Sequence, residues 1–360
     1  MRRFCLTLFT VLVACLGLAT SAGAALPKGF VGLTSEDVFA GDAAYRASNL
    51  SRQASVGVRL LRQTFDWSAI ETAPGSYNLS HYDAYVAAAA DHGMRILPIL
   101  FNPPGFRLGR RDSRATCPPR SNRSFSAFAR ALVRRYGSKG TLWRERPNVR
   151  KVPITAWQIW NEPNLPMFYW CGKAIARHYV AMLRTVGKAI KKVDRRAEIV
   201  TAGLPPSKLS GAVPLTRFLD QMYSAGGKRA FDSLAINSYA TDERELGRLL
   251  SSIRALMNSH GDRGARIWIT ELGWGDQGLR HRFIVGAKGQ ARRITKSFAL
   301  IKKQRRRLRL RGVVYFSWRD QRPYPPAFKN LWGLHTGLLD NDGTPKPAFF
   351  AFQRAARRLR

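Results

Sequence analysis

The sequence predicts a single (β/α)8 barrel, an α/β fold in which eight parallel strands alternate with helices. Short apolar runs recur along the chain, as expected of strands that are covered on both faces. There are eight such runs, at residues 30–33, 56–61, 94–101, 154–160, 198–203, 233–239, 266–270 and 313–318. Parallel strands need crossover helices, so a barrel and a doubly wound sheet both fit, and the count of eight favours the barrel.

Amphipathic segments between these runs supply the crossovers. The clearest carries one apolar stripe, formed by Ile175, Tyr179, Met182, Val186, Ile190 and Val193. Lys and Arg fill its other face. A second segment repeats the spacing with Phe125, Phe128, Leu132 and Tyr136. Both stripes indicate helices that pack one face on a sheet and expose the other.

The N-terminus has the layout of a secretory signal peptide. Arg2 and Arg3 precede an apolar run over residues 4–18, and Ala22-Gly23-Ala24 forms an A-x-A cleavage site. We therefore expect residues 1–24 to be removed and residues 25–360 to form one catalytic domain. Two alternatives remain open, namely an uncleaved membrane anchor and lipidation at Cys15, which ends a lipobox-like sequence.

Cysteine usage agrees with export. Cys5 and Cys15 lie in the predicted signal, which leaves Cys117 and Cys171 as the pair in the mature chain. In an oxidising compartment we expect these two to form a disulfide, although two free buried thiols are the simpler alternative. The six histidines show no metal-binding spacing, so the sequence implies no metal and no cofactor.

The chain is strongly basic. Lys and Arg total 60 against 23 acidic residues, a formal net charge of +37, and loss of Arg2 and Arg3 with the signal would leave +35. Such a charge raises nucleic acid, anionic membranes and acidic polysaccharides as partners. No nucleic-acid-binding motif accompanies it, so no nucleic acid is expected, and no stable protein partner is implied.

Two glutamates end two of the predicted strands. Glu162 follows the fourth run in the sequence WNEPN, and Glu271 ends the seventh in ITELGW. The carboxyl ends of barrel strands meet at one face, where the active sites of such barrels lie. A single carboxylate at a strand end is usually a solvated group or a salt-bridge partner, so the pair matters more than either member.

These two motifs resemble the signatures of retaining glycoside hydrolases in the large (β/α)8 clan that includes families 5 and 39. The resemblance extends over most of the mature chain. Arg62, with Phe65 and Trp67, is similar to a segment that follows the second strand in these enzymes, and residues 340–348 are similar to their closing turn. By this resemblance Glu162 is the general acid/base and Glu271 the nucleophile. Arg62 is the cation that keeps the nucleophile ionised.

The resemblance also implies the residues that hold the sugar. Asn161 matches the amide that binds the 2-hydroxyl, and Tyr239 matches the tyrosine that bonds the nucleophile. Asn237 stands where many members have a histidine, which puts the contacts of the sixth strand in doubt. Trp318, at the end of the eighth run, resembles the aromatic platform under the sugar.

The sequence thus predicts a secreted retaining glycosidase that cleaves a poly- or oligosaccharide with two glutamates. The basic shell suggests that the carbohydrate is acidic or lies in an acidic matrix. The alternative is an inactive, wall-associated barrel that docks on anionic polymers. Retention of Glu162, Glu271, Asn161 and Arg62 disfavours that alternative.

Overall fold

The computed structural model describes residues 26–109, 117–169, 175–207, 209–321 and 330–359. The predicted signal peptide, residues 1–24, and Cys171 lie outside the described residues. Within them, no helix has both the length and the apolar character needed to span a bilayer.

The strands alternate with helices along the chain. The strands are β1 (Val31–Thr34), β2 (Leu60–Asp66), β3 (Glu71–Ala73), β4 (Ser76–Tyr77), β5 (Arg95–Phe101), β6 (Ala156–Ile159), β7 (Glu198–Leu204), β8 (Ser233–Asn237), β9 (Arg266–Leu272) and β10 (Leu310–Phe316). The helices are α1 (Glu36–Ala40), α2 (Ala43–Ser55), α3 (Trp67–Ile70), α4 (Ser80–Asp91), α5 (Asn122–Tyr136), α6 (Leu142–Glu145), α7 (Ile175–Val193), α8 (Leu215–Ser224), α9 (Glu243–Ser259), α10 (Gly286–Gln304) and α11 (Pro347–Leu359).

Eight of the described strands close into a parallel barrel in the order β1-β10-β9-β8-β7-β6-β5-β2, and β2 pairs with β1 to complete the ring. The predicted (β/α)8 fold is confirmed. Each of the eight apolar runs overlaps a barrel strand, while β3 and β4 form a separate antiparallel hairpin after β2.

The second strand lies farther along the chain than predicted. The second run was placed at residues 56–61, but the strand β2 covers Leu60–Asp66. Val56 instead caps the C-terminus of α2, and Gly57 takes a φ of +102° in the turn that follows. Arg62 therefore lies within the second barrel strand and not after it.

Two apolar layers hold the barrel. The larger lies between the strands and the surrounding helices, where the stripe of α5 is buried and that of α7 is buried except at its ends, Ile175 and Val193, which are half-buried. The smaller fills the barrel interior with Leu60, Leu97, Ala156, Val200, Ala235, Trp268 and Val314. Trp268 is the largest of these side chains, and its indole Nε1 donates to Glu198 Oε1 at 3.0 Å.

Gly312 on β10 makes room for the Trp268 ring, because a Cβ at this glycine would lie 2.4 Å from a ring atom. We expect Gly312→Ala to lower the free energy of unfolding by about 1–3 kcal/mol, as other overpacked cores do. Urea unfolding measures this change. Gly264→Ala is the matched control, since nothing lies within 4 Å of a Cβ there. Equal stability of the two variants would contradict this description of the interior.

Candidate active site

The two glutamates meet at the C-terminal mouth of the barrel. Glu162 follows β6, Glu271 lies in β9 near its end, and both are 8% exposed. The amide Nδ2 of Asn237 donates to Glu162 Oε1 at 2.6 Å and to Glu271 Oε1 at 2.9 Å. These two oxygens can therefore be no farther apart than the sum of the two distances, 5.5 Å.

The backbone around Glu162 is strained. Trp160 has a φ of +73° and Glu162 a φ of +44°, values that side chains with a Cβ rarely adopt. The Glu162 amide donates to Gly203 O at 3.2 Å, and the buried Trp160 indole donates to Phe168 O at 2.8 Å. These bonds hold the turn that aims the Glu162 carboxyl group into the mouth, and such strain is typical of functional sites.

Three donors converge on Glu271. Arg62 Nη1 forms an ion pair with Oε1 at 2.8 Å, Asn237 donates to the same oxygen, and the Tyr239 hydroxyl donates to Oε2. Burial and the neighbouring Glu271 charge raise the pKa of Tyr239 well above its usual value, so the phenol remains a donor. Negative charge at Glu271 is therefore well stabilised.

Arg62 also fixes two other side chains. Its Nε donates to Gln158 Oε1 at 2.9 Å and its Nη2 to Asn161 Oδ1 at 3.0 Å. The guanidinium is 2% exposed, so this rigid fork works with little competition from water. Asn161 is half-buried, and its orientation relative to Glu162 is set by Arg62.

The two carboxyl groups have different electrostatic environments. Burial and the nearby Glu271 charge raise the pKa of Glu162, while Asn237 and Arg62 oppose the shift only in part. Glu271 has a direct ion pair with Arg62, whereas no described residue forms an ion pair with Glu162. This asymmetry is the pattern that separates a proton donor from a nucleophile.

The amide of Asn237 is oriented by its surroundings. Thr270 Oγ1 donates to Asn237 Oδ1 at 2.8 Å, which leaves Nδ2 facing the two glutamates. Gly203, at the end of β7, admits this side chain, because a Cβ there would lie 2.2 Å from Asn237 Oδ1. The contacts of the sixth barrel strand, which the sequence left in doubt, thus include an amide that touches both carboxyl groups.

Trp318 is not where the prediction placed it. The eighth barrel strand ends at Phe316, and the Trp318 indole is fully buried outside the barrel. Its Nε1 donates to Asn49 Oδ1 at 3.0 Å, and the ring packs on Phe349. Because it is fully buried between helices α2 and α11, the ring presents no exposed face at the mouth. Phe316 is the half-buried aromatic side chain at the end of β10.

A cluster of ionisable residues lies at the edge of the mouth, where it links the loops after β9 and β10. The ligand atoms of Asp276, Asp320 and His335 lie within 4.8 Å of one another, a spacing that could hold a metal ion. However, Lys346 Nζ lies 3.0 Å from Asp276 Oδ1 and 3.0 Å from both oxygens of Asp320. The ammonium group already supplies the positive charge. Lys346 thus ties the closing turn to the loops that follow β9 and β10.

Some residues of this site were not singled out from the sequence. Gln158 is a polar side chain within an otherwise apolar strand, and Thr270 stands within the ITELGW motif, so both could have been identified. Gly203 and Glu36, which lies at the mouth on α1, carry no such mark. Of the predicted disulfide, Cys117 is fully buried and its partner lies outside the described residues.

No protein-family model matches the sequence, and no curated protein matches it. Solved structures do match. A family 39 glycoside hydrolase from Bacteroides cellulosilyticus WH2 is 20% identical, with a TM-score of 0.64 over 91% of this chain and 63% of that one. A glucosidase from Croceicoccus marinus is 15% identical, with a TM-score of 0.67 over 93% and 69% of the two chains.

A family 39 β-xylosidase from Caulobacter crescentus is also similar, with 18% identity and a TM-score of 0.63 over 92% of this chain and 72% of that one. The fold is shared with these glycoside hydrolases. The chain spans about 63% of the length of the Bacteroides protein. Identities this low establish the fold, and function has to be argued from the site.

Gly203→Ala tests how Asn237 is positioned. The new Cβ would displace the amide from both glutamates, so we expect kcat to fall about tenfold or more and its pH profile to shift, with a smaller change in KM. Gly105→Ala, in the short 3-10 helix after β5 where a Cβ would meet no described atom within 4 Å, is the control and should match the wild type. An unchanged pH profile in a folded Gly203→Ala enzyme would contradict this positioning role.

Glu162→Gln tests the raised pKa of Glu162. Because its pKa is raised, Glu162 holds its proton more tightly in the folded state than in the unfolded chain. The free energy of unfolding therefore falls as pH rises above 4.5, the ordinary pKa of a glutamate. We expect the amide to raise the free energy of unfolding at pH 7–8 by roughly 0.5–2 kcal/mol, with a smaller gain at pH 5. Glu145→Gln, at a fully exposed site, should show no such gain. A gain that is independent of pH would refute the electrostatic explanation.

Proposed function

We propose that the chain is a retaining glycosidase. The observation that carries this proposal is the single amide of Asn237 that touches both glutamates, which limits their closest oxygens to 5.5 Å. Retaining enzymes hold their two carboxyl groups about 5–5.5 Å apart, whereas inverting enzymes need about 6.5–9.5 Å to admit a water molecule.

The reaction takes two steps. Glu271 attacks the anomeric carbon as the glycosidic bond breaks, and Glu162 gives its proton to the departing oxygen. Glu162, now ionised, then removes a proton from water, whose oxygen attacks the same carbon and releases Glu271. Arg62 and Tyr239 stabilise the carboxylate before attack and after release, and Asn161 is placed to bond the 2-hydroxyl group.

Trapping the covalent intermediate tests this proposal. The 2,4-dinitrophenyl 2-deoxy-2-fluoro-β-glycosides of xylose and glucose should add one glycosyl group to the peptide that contains Glu271. Glu271→Ala should abolish labelling and lower kcat by several orders of magnitude. Glu162→Ala should regain turnover with azide. Labelling elsewhere, or turnover that survives Glu271→Ala, would refute the assignment, and no turnover of any glycoside would favour the inactive binding barrel.

We also propose that the enzyme is exported and matures near Ala25, with Cys117 and Cys171 joined. N-terminal sequencing of the secreted protein and thiol titration after unfolding test both points. Two reactive thiols in the unfolded protein would exclude the disulfide.

The basic shell supports association with an anionic matrix. A groove of about 530 Å³ lies between α7 and the start of β8, at the barrel end opposite the glutamates. Its floor includes Ile199 and Phe231, and its rim carries six cations, Arg184, Lys188, Lys191, Lys192, Arg195 and Arg229, against the single acid Asp232. Lys191 pairs with Asp232 at 2.8 Å, which leaves most of the rim charge available to a polyanion.

Reversing charge in the groove tests this association. Lys188→Glu, Arg195→Glu and Arg229→Glu together should weaken binding to immobilised polygalacturonate and lower its salt dependence. Lys303→Glu, Arg354→Glu and Arg357→Glu, on the exposed faces of α10 and α11, change the net charge equally and should have less effect. Equal losses from both sets would mean that net charge alone, and not the groove, draws the polymer.

A further inference from the structure

A second cavity lies at the mouth of the barrel, on the side away from Glu162. It has a volume of about 460 Å³ and lies at the ends of β1 and β10, with Glu36 and Phe316 in its lining. In the closed strand order, β10 is four strands from β6 in either direction, so it lies directly across the mouth from Glu162. Its size is that of a small-ligand site.

The position of the cavity opposite Glu162 determines which part of a bound substrate can reach it. Glu162 protonates the departing oxygen in the proposed reaction, so the leaving group lies on the side of β6. The rest of the glycone must extend away from Glu162, across the mouth. The cavity at β1 and β10 lies on that path.

Glu36 presents an available acceptor to this cavity. Its Oε2 accepts from Gln63 Nε2 at 2.8 Å, while Oε1 has no hydrogen-bond partner among the described residues. The side chain is exposed to the cleft although much protein surrounds it, and this burial raises its pKa. Gln63 follows Arg62 on β2, so the strand that fixes the nucleophile also fixes Glu36.

The rest of the described lining suits a neutral sugar. Phe316 is half-buried and gives an apolar wall on which C–H groups of a sugar ring can pack. Arg319 is the cation of this lining, and it is already engaged. Its Nε lies 3.3 Å from Asp37 Oδ2, and its guanidinium covers the Tyr45 ring at 5.3 Å. A uronate would therefore meet Glu36 and Asp37 without an available cation among the described lining residues.

We propose that this cavity is a second sugar-binding subsite on the glycone side, in which Glu36 accepts hydrogen bonds from the hydroxyl groups of a neutral sugar that packs on Phe316. The inference rests on the proposed glycosidase activity for its orientation. Such a subsite makes the cleft selective for a neutral sugar, while the basic groove at the other end of the barrel holds the enzyme on an acidic matrix.

The first test compares substrates with one and two sugars. The 4-nitrophenyl β-xyloside and β-glucoside reach only the cleavage site, whereas the β-xylobioside and β-cellobioside add a glycone sugar. Glu36→Ala should lower the ratio of kcat/KM for bioside over monoside about tenfold or more, as expected for loss of a hydrogen bond to a charged group. Glu36→Gln, which keeps the shape, should lower it less. Glu145→Ala is the control. It removes one negative charge from the end of α6, which precedes β6 in the chain, and it should leave the ratio unchanged.

Binding provides the second test and does not depend on turnover. Calorimetric titration of the Glu271→Gln chain should show tighter binding of xylobiose or cellobiose than of digalacturonate, and Glu36→Gln should reduce this preference. An unchanged bioside ratio in Glu36→Ala, tighter binding of digalacturonate, or no binding of any disaccharide would overturn the subsite. Disaccharide binding that depends on Glu36 in a chain that turns over no glycoside would retain the subsite and refute the proposed activity instead.

Discussion

The arrangement of the site depends on the donors that Arg62 and Asn237 supply to two buried carboxyl groups. Two acids this close repel each other when both are ionised, and burial adds to the cost of each charge. The Arg62 ion pair favours charge on Glu271, and the Asn237 amide spans both groups. The proton is thereby directed to Glu162. Without these donors the two acids would not have separate roles.

The barrel makes this convergence possible. Arg62, Glu271 and Asn237 lie on β2, β9 and β8, and Glu162 follows β6, so the four groups come from widely separated parts of the sequence. Closure of the ring brings them to one mouth. The network continues outward through Gln158, Asn161 and Thr270, so Arg62 and Asn237 are each held by further side chains. Rigid support of this kind keeps functional groups in productive geometry.

Much of this could be predicted from the sequence, because apolar runs and the two glutamate motifs are local patterns. The role of Trp318 could not. Phe316 and Trp318 are two residues apart, so the alternation of a strand places both on the same face. The strand ends at Phe316, and the turn that follows carries Trp318 into the packing of α2 and α11. The need for glycine at position 203 could not be predicted either. It arises from Asn237, 34 residues later, whose Oδ1 occupies the space that a Cβ at position 203 would fill.

Two glutamates this close together predict a reaction that passes through a covalent intermediate. The most direct measurement is proton NMR of the sugar first released from an aryl β-glycoside that the enzyme turns over, recorded before mutarotation. The structure predicts that the β-anomer appears first, because two displacements restore the starting configuration. Initial release of the α-anomer would show a single displacement and would contradict the account.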